Sequence, residues 1–278
     1  MEVNKKIIGL LKELKEKNPL VHHITNYVTV NDCANITLAI GGSPVMADDI
    51  KEVCDMVTLA SSLVINIGTL NSRSIDSMLA AGKRANELKI PVILDPVGAG
   101  ATPYRTETAR RIISEIKLAV IRGNLSEIKT LYGIETKTKG VDTCDSDFEN
   151  GKELTKAKEM AKALANKLNT VVAITGAVDI ITDGKILYSV ENGHNIMSKV
   201  TGTGCMCSSL IGSYLGAGDN KLISALAGVV SMGIAGEIAY EGLDKGKEGT
   251  GTLKVKIIDA VYNLSENQIM KRSKTNED

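Results

Sequence analysis

The 278-residue chain contains no tryptophan and a single phenylalanine, Phe148, and only 3% of its residues are Phe, Trp or Tyr. Recognition of a planar ligand therefore cannot depend on much ring stacking, and aliphatic walls and backbone contacts must do more of it. There is no excess of either charge, with 33 Lys+Arg against 33 Asp+Glu. That balance removes the basic footprint of a general nucleic-acid or anionic-membrane binder. The five cysteines, Cys33, Cys54, Cys144, Cys205 and Cys207, are odd in number and scattered. They form no CxxC pair, so zinc-ribbon and dithiol redox motifs are excluded. A reducing cytosol is the simple inference. The first nineteen residues, MEVNKKIIGLLKELKEKNP, have no long apolar run or small-residue cleavage site. They read as an amphipathic surface helix and not as a signal peptide, so a cytoplasmic location is expected.

Proline is also scarce, and all five fall at or before Pro103. With no repeat, heptad or Pro/Ser linker, the sequence predicts one domain over 1–278, with a polar tail over 265–278 that frays. What is abundant is aliphatic: 43% of residues are hydrophobic and 26 are glycine. That composition excludes disorder and predicts a core of Ile, Val, Leu, Ala and Met packed closely around glycines. The run from Val200 to Gly218 carries no charge and is nearly long enough to cross a membrane. Its five Gly, three Ser and two Thr suit instead a helix buried inside a globular core.

Short apolar runs, LVINIG (63–68), PVILDP (91–96), LAVIRG (118–123) and TVVAIT (170–175), alternate with stretches of helical periodicity. This alternation predicts an α/β fold with a mostly parallel central sheet flanked by helices. In VDIITDGKILYSV the Asp183-Gly184 pair between two strand-like runs predicts a hairpin, hence an antiparallel edge. Helices are expected over about 203–216, 219–242 and 250–265, and a solvated loop over 136–153.

The chemistry concentrates where strands end. In VTGTGC, the turn Gly202-Thr203-Gly204 enters the uncharged helix. Clustered N–H groups at a helix start hold an anion, and a phosphate is the natural occupant. Taken alone, a GTG sequence is more often only a tight turn. Cys205, in the first turn of that helix, is placed to have a lowered pKa and to act as base or nucleophile. Cys207 should face elsewhere as a small buried hydrophobe. In RGNLSEI, Arg122 leaves a strand where an anionic ligand is expected, and Asn124 with Glu127 reads as a helix cap or, for Glu127, a partner of hydrated Mg²⁺. Asp95 closes another strand before a glycine-rich loop, and Thr175 closes a fourth. His22 and His23 have only the distant His194 for company, so polar packing is the reading and not a metal site. Met46 either lines an apolar pocket or fills core.

Together HHITNYVTVNDCAN, GGSPVMA, NIGTL, ILDPVGAGAT, RGNLSEI, ITGAVD and VTGTGC resemble, in order, the motifs of the hydroxyethylthiazole kinase family of the ribokinase-like superfamily, over about 19–264. The resemblance implies a single domain without the lid of sugar-kinase relatives. It implies ATP-dependent phosphorylation of 4-methyl-5-(2-hydroxyethyl)thiazole in thiamine salvage, with Mg²⁺, in a homotrimer whose sites lie at subunit boundaries. It places Arg122 and Thr175 at ATP, and Gly202 at the phosphate and the substrate hydroxyl. Met46, Asn26 and Gly68 fall on the substrate side, Asp95 and Glu127 at the metal and Cys205 where most superfamily members carry Asp. Two rivals stand beside it: a related kinase for another small alcohol such as hydroxymethylpyrimidine, and a thiol enzyme with Cys205 as nucleophile. A Rossmann module lacks its GxGxxG.

Overall fold

The computed structural model describes residues 2–133 and 151–278. Most of the 136–153 segment, with Cys144 and Phe148, lies outside the described residues. Apolar residues at helical spacing on α1 (Glu2–Lys17) bury Ile7, Leu10, Leu11 and Leu14 and leave its lysines in solvent. The chain then runs β1 (Leu20–Ile24), α2 (Val30–Ile40), β2 (Ser43–Val45), α3 (Val53–Leu59), β3 (Ser62–Asn66), α4 (Ser72–Glu87), β4 (Val92–Asp95), α5 (Pro103–Glu115), β5 (Val120–Asn124) and α6 (Leu125–Tyr132). After α7 (Gly151–Leu168) and β6 (Val171–Thr175), the Asp183-Gly184 turn joins β7 (Asp179–Thr182) to β8 (Leu187–Val190) as an antiparallel pair, as its sequence predicts.

One nine-stranded sheet has the order β2-β1-β3-β4-β5-β6-β7-β8 and a final β9 (Thr275–Glu277). From β2 through β6 neighbouring strands are parallel, so their carboxyl ends share one edge. From β1 the chain crosses first to β2 on one side and then to β3 on the other, which puts a topological switch point between β1 and β3. Alternation along each strand feeds two cores: Val64 and Ile93 face one, Leu63, Ile65 and Leu94 the other. Helices α3 to α7 cover the second face. The first is covered by α1, α2, α8 (Thr203–Ala217), α9 (Lys221–Glu241), α10 (Thr250–Tyr262) and α11 (Glu266–Arg272).

The uncharged run forms α8, a buried core helix. It lies antiparallel to the strands: Ser62 at the start of β3 donates to the Gly212 carbonyl (2.7 Å), while Ser208, nearer the helix start, donates to Asp95 at the end of β4 (2.8 Å). The amino-terminal end of α8 thus faces the carboxyl edge of the sheet. Helix α9 is also long and apolar enough to cross a membrane, yet the protein itself buries 89% of its apolar stretch. A Cβ at Gly228 would sit 2.5 Å from Ile211 Cγ1 and 2.8 Å from the Ile211 backbone nitrogen, so the two helices touch backbone to backbone there. Gly228→Val is therefore expected to cost at least about 2 kcal/mol in denaturant unfolding, because neither backbone can retreat in a filled core.

The tail corrects its expectation of fraying. Ser265 and Gln268 form a capping box for α11, β9 pairs antiparallel with β8, and Lys158 binds the Asp278 carboxylate at 2.8 Å. The polar composition of 265–278 hides this, because β9 is held by backbone pairing to an otherwise open strand edge and not by burial of its side chains.

Candidate active site

Every parallel strand delivers a polar or ligand-sized residue to the same edge. Asn26 follows β1, Met46 follows β2, Asn66 ends β3 with Gly68 two residues on, and Asp95 ends β4. Arg122 and Asn124 lie in β5, and Thr175 ends β6. Opposite them stands the start of α8, capped by Gly202, whose φ of 91° is a left-handed conformation that favours glycine. The three-residue turn leaves the N–H groups behind it aimed at the strand ends, an arrangement able to accept an anion.

At the switch point, the amides of Asn26 and Asn66 each donate to Cys205 Sγ at 3.3 Å. Asn66 also donates to Asp95 Oδ2 (2.8 Å). Its own oxygen accepts from Asn26 Nδ2 (3.0 Å) and from the Gly68 amide (2.9 Å). Arg105, on α5, ties the neighbouring loops together by donating to the carbonyls of Ile67 (3.0 Å), Gly68 (2.8 Å) and Val97 (2.7 Å). Asn66, Ser208 and Arg105 are not apparent as site residues from the sequence. The available signal was position, since Asn66 ends its strand in register with Asp95.

Beneath the turn lies Arg122. Its guanidinium donates to Thr175 Oγ1 and stands 3.6 Å from Asp95. A methyl group at Gly204 would meet Arg122 Nη1 at 2.5 Å, so glycine is what lets the helix start sit on this cation. Asp95 is fully buried, and burial pushes its carboxyl up against the opposing pull of Arg122, Ser208 and Asn66. Its Oδ1 is buried with no hydrogen-bond partner. Glu127 does form the capping box with Asn124, taking the Asn124 amide on one oxygen and the Gly98 amide on the other, each at 2.8 Å. Burial, and then the charge of Asp95, push its carboxyl up to about 7.

Cys205 departs from the expectation of a lowered pKa. Its thiol is pushed up, by burial first and by the Asp95 carboxylate second, and these outweigh the hydrogen bonds from Thr29 and Asn26 and the charge of Arg122. Cys207 is buried, as a small hydrophobe should be. The paired histidines pack as polar core residues on opposite faces of β1. His22 Nε2 donates to the Ala47 carbonyl (2.7 Å), and His23 Nε2 shares a bond with Thr37 Oγ1 (3.3 Å). Burial lowers the pKa of both, that of His23 to about 3. Met46 is half-buried just beyond the edge strand β2.

Asp179, at the start of β7, accepts the Gly176 amide (2.9 Å), and burial pushes it up to about 7. An unfolded aspartate ionises near pH 4. The ionised residue therefore costs stability that builds up between about pH 4 and 7 and persists above that. Asp179→Asn keeps an acceptor for Gly176 and removes the charge. We expect its thermal midpoint to match the parent near pH 4 and to exceed it at pH 8, the difference there amounting to up to about 4 kcal/mol. A lower midpoint at pH 8 would contradict this burial cost.

A mostly parallel sheet whose carboxyl edge faces a helix start, a buried cation and two high-pKa carboxylates is the architecture and site expected of a small-molecule kinase. The family model for the hydroxyethylthiazole kinase family matches residues 11–267. Hydroxyethylthiazole kinases of Alkaliphilus oremlandii and Clostridium tetani are each 58% identical, over 100% and 99% of this chain and 100% and 98% of theirs. The solved structure of a hydroxyethylthiazole kinase protein from Pyrococcus horikoshii OT3 superposes with a TM-score of 0.87 at 42% identity, covering 99% of both chains. Pyridoxal kinase from Staphylococcus aureus, at 14% identity and a TM-score of 0.61 over 93% of this chain and 97% of that one, shares the fold. The chain belongs to the hydroxyethylthiazole kinase family. It is a kinase that phosphorylates hydroxyethylthiazole in thiamine salvage, with ATP as the phosphoryl donor.

Proposed function

We propose that phosphoryl transfer takes place above the Gly202-Thr203-Gly204 turn. The ATP phosphates lie on the start of α8 and the thiazole alcohol approaches from the switch point between β1 and β3. The observation that carries this reading is the seating of Cys205 Sγ between the amides of Asn26 and Asn66, in the first turn of α8. An alcohol oxygen beside that sulfur would face a phosphoryl group held by the backbone N–H groups behind Gly202. The transferred group passes through a loose transition state, so positioning and electrostatics carry most of the rate.

Each residue then has a part. Arg122 and Thr175 bind ATP phosphate oxygens; burial works against the Arg122 charge, and the Asp95 carboxylate beside it outweighs that cost with the other acidic groups nearby and holds the guanidinium charged. Asn26, Gly68 and Met46 shape the alcohol's side of the cleft. Cys205 orients the hydroxyl as a neutral thiol, because its raised pKa keeps the proton on sulfur at neutral pH. That state also removes the thiolate on which the thiol-enzyme rival depends.

The residues fit a magnesium ion. Among the described residues no three His, Cys, Asp or Glu side chains gather as a protein-only cage. Magnesium bound by one or two carboxylates together with substrate phosphates needs none. Asp95, with its unpartnered Oδ1, and Glu127, near enough for the Asp95 charge to raise its pKa, would hold it. When bound, it would neutralise phosphate oxygens.

A homotrimer with shared sites accords with where apolar surface is left open. Tyr27 is 77% and Val28 58% exposed directly after the site residue Asn26, and Leu38 on α2 and Leu59 at the end of α3 are exposed as well. A single kinase domain accords with the one continuous sheet from β2 to β9, and a cytoplasmic location with the free thiols at Cys33, Cys54, Cys205 and Cys207. The test is incubation with ATP and either hydroxyethylthiazole or hydroxymethylpyrimidine, with and without Mg²⁺, and products read by mass. We expect the thiazole phosphate, and only when Mg²⁺ is present. Faster turnover of the pyrimidine would favour the rival substrate.

A further inference from the structure

We propose that Asn66 is the positioning residue that locks the acceptor side of this site to its phosphoryl side. Its carboxamide uses both donors and both acceptor directions: it donates to Asp95 Oδ2 (2.8 Å) and Cys205 Sγ (3.3 Å), and it accepts from the Gly68 amide (2.9 Å) and Asn26 Nδ2 (3.0 Å). These partners belong to β4, α8, the loop after β3 and the loop after β1. Few residues can do this. A serine offers one donor and is too short, and an aspartate of the same shape offers acceptors only.

The surroundings fix the orientation of the amide. The Gly68 N–H can only donate, so the face of Asn66 toward it must be oxygen, and the nitrogen must then point at Asp95 and Cys205. Asn66 is 2% exposed, so water does not substitute for a missing partner. The β3 end is also the only described residue that touches both Asp95 and Cys205 by hydrogen bonds. A shift of that strand end would move the sulfur and the carboxylate together. Ser208 supports the same Asp95 oxygen from α8, so the carboxylate is held from two elements while its other oxygen is left free. Asn66 touches neither substrate in this arrangement; it acts through Cys205, Asn26 and Asp95.

This inference rests on the placement of the alcohol beside Cys205, and the experiment separates the two. Asn66→Asp keeps the shape and the acceptor oxygen for Gly68 and Asn26 but removes both donations. Asn66→Ser is a second, smaller variant whose stability does not depend on a second carboxylate. Both are compared with Cys205→Ala and with the double variant Asn66→Ser/Cys205→Ala. Steady-state kinetics are read together with peptide-mapped alkylation of Cys205, using Cys54 as the internal reference. We expect kcat to fall at least about 30-fold in Asn66→Asp and Asn66→Ser while KM for ATP stays within three-fold. The alkylation rate at Cys205 relative to Cys54 should change at least three-fold, and the losses in the double variant should be far less than multiplicative. If Cys205→Ala lowers kcat but both Asn66 variants keep it within three-fold, the role of Asn66 is overturned and the placement of the alcohol stands. If Cys205→Ala leaves kcat unchanged, the placement fails and the inference fails with it.

Discussion

Gly204→Ala is expected to lower kcat/KM for ATP by about 10²- to 10³-fold, equivalent to roughly 3–4 kcal/mol of lost transition-state binding. The added methyl would lie 2.5 Å from Arg122 Nη1 and 2.9 Å from Nη2. A guanidinium tip ordinarily yields to such an intrusion at little cost. This one cannot, since it is pinned by Thr175 on one side and Asp95 on the other, within a largely buried side chain. Either the guanidinium leaves Asp95, stranding a buried carboxylate, or the helix start lifts away from the strand ends. Both outcomes spoil the phosphate seat. Arg122→Ala should reproduce the loss of ATP affinity without moving the helix, and titration of ATP into both variants checks it. Normal ATP affinity in Gly204→Ala with an intact fold would mean that the nucleotide does not lie over this turn.

Cys205→Ala is expected to lower kcat by about 10²-fold, with KM for ATP little changed. Where a side chain takes the proton in the transition state, its loss typically costs 10²- to 10⁴-fold. The raised thiol places Cys205 at the lower end, because a neutral thiol orients the alcohol without removing its proton. The corollary is a flat profile: kcat should stay within about three-fold from pH 7 to 8.5, and Cys205→Ser should keep most of the activity. A tenfold rise in kcat per pH unit over that range, absent from Cys205→Ser, would show instead that the thiolate is a base.

The reach of sequence reasoning divides along physical lines. Strands β3 to β6 were legible because each is a short uninterrupted aliphatic run between turn residues, and the hairpin because Asp-Gly sits between two such runs. The final helices follow from glycine- and charge-bounded apolar stretches, and lie within a few residues of expectation. Strand β1 was obscured by its two histidines, which break the apolar pattern although both are buried and neutral. Strand β2 is three residues long and contains a proline, tolerable only because it is the sheet edge. In the site, the Asn124–Glu127 cap is a local pattern at fixed spacing and could be read directly. The Asn66 bridge spans 29 residues to Asp95 and 139 to Cys205, and no local pattern records a contact made only when three elements meet. The sign of the Cys205 shift was missed for the same reason. A helix start is visible in sequence, whereas burial and a carboxylate from another strand are not.

The measurement that bears most directly on the account is a crystal structure of this enzyme with a non-hydrolysable ATP analogue, Mg²⁺ and hydroxyethylthiazole. We expect the terminal phosphate on the backbone N–H groups of the Gly202–Cys205 turn, with Arg122 and Thr175 against its oxygens. The alcohol oxygen should lie within about 3.5 Å of both the sulfur of Cys205 and the phosphate. A terminal phosphate bound elsewhere, or an alcohol held away from Cys205 in a complex that still turns over with ATP, would contradict it.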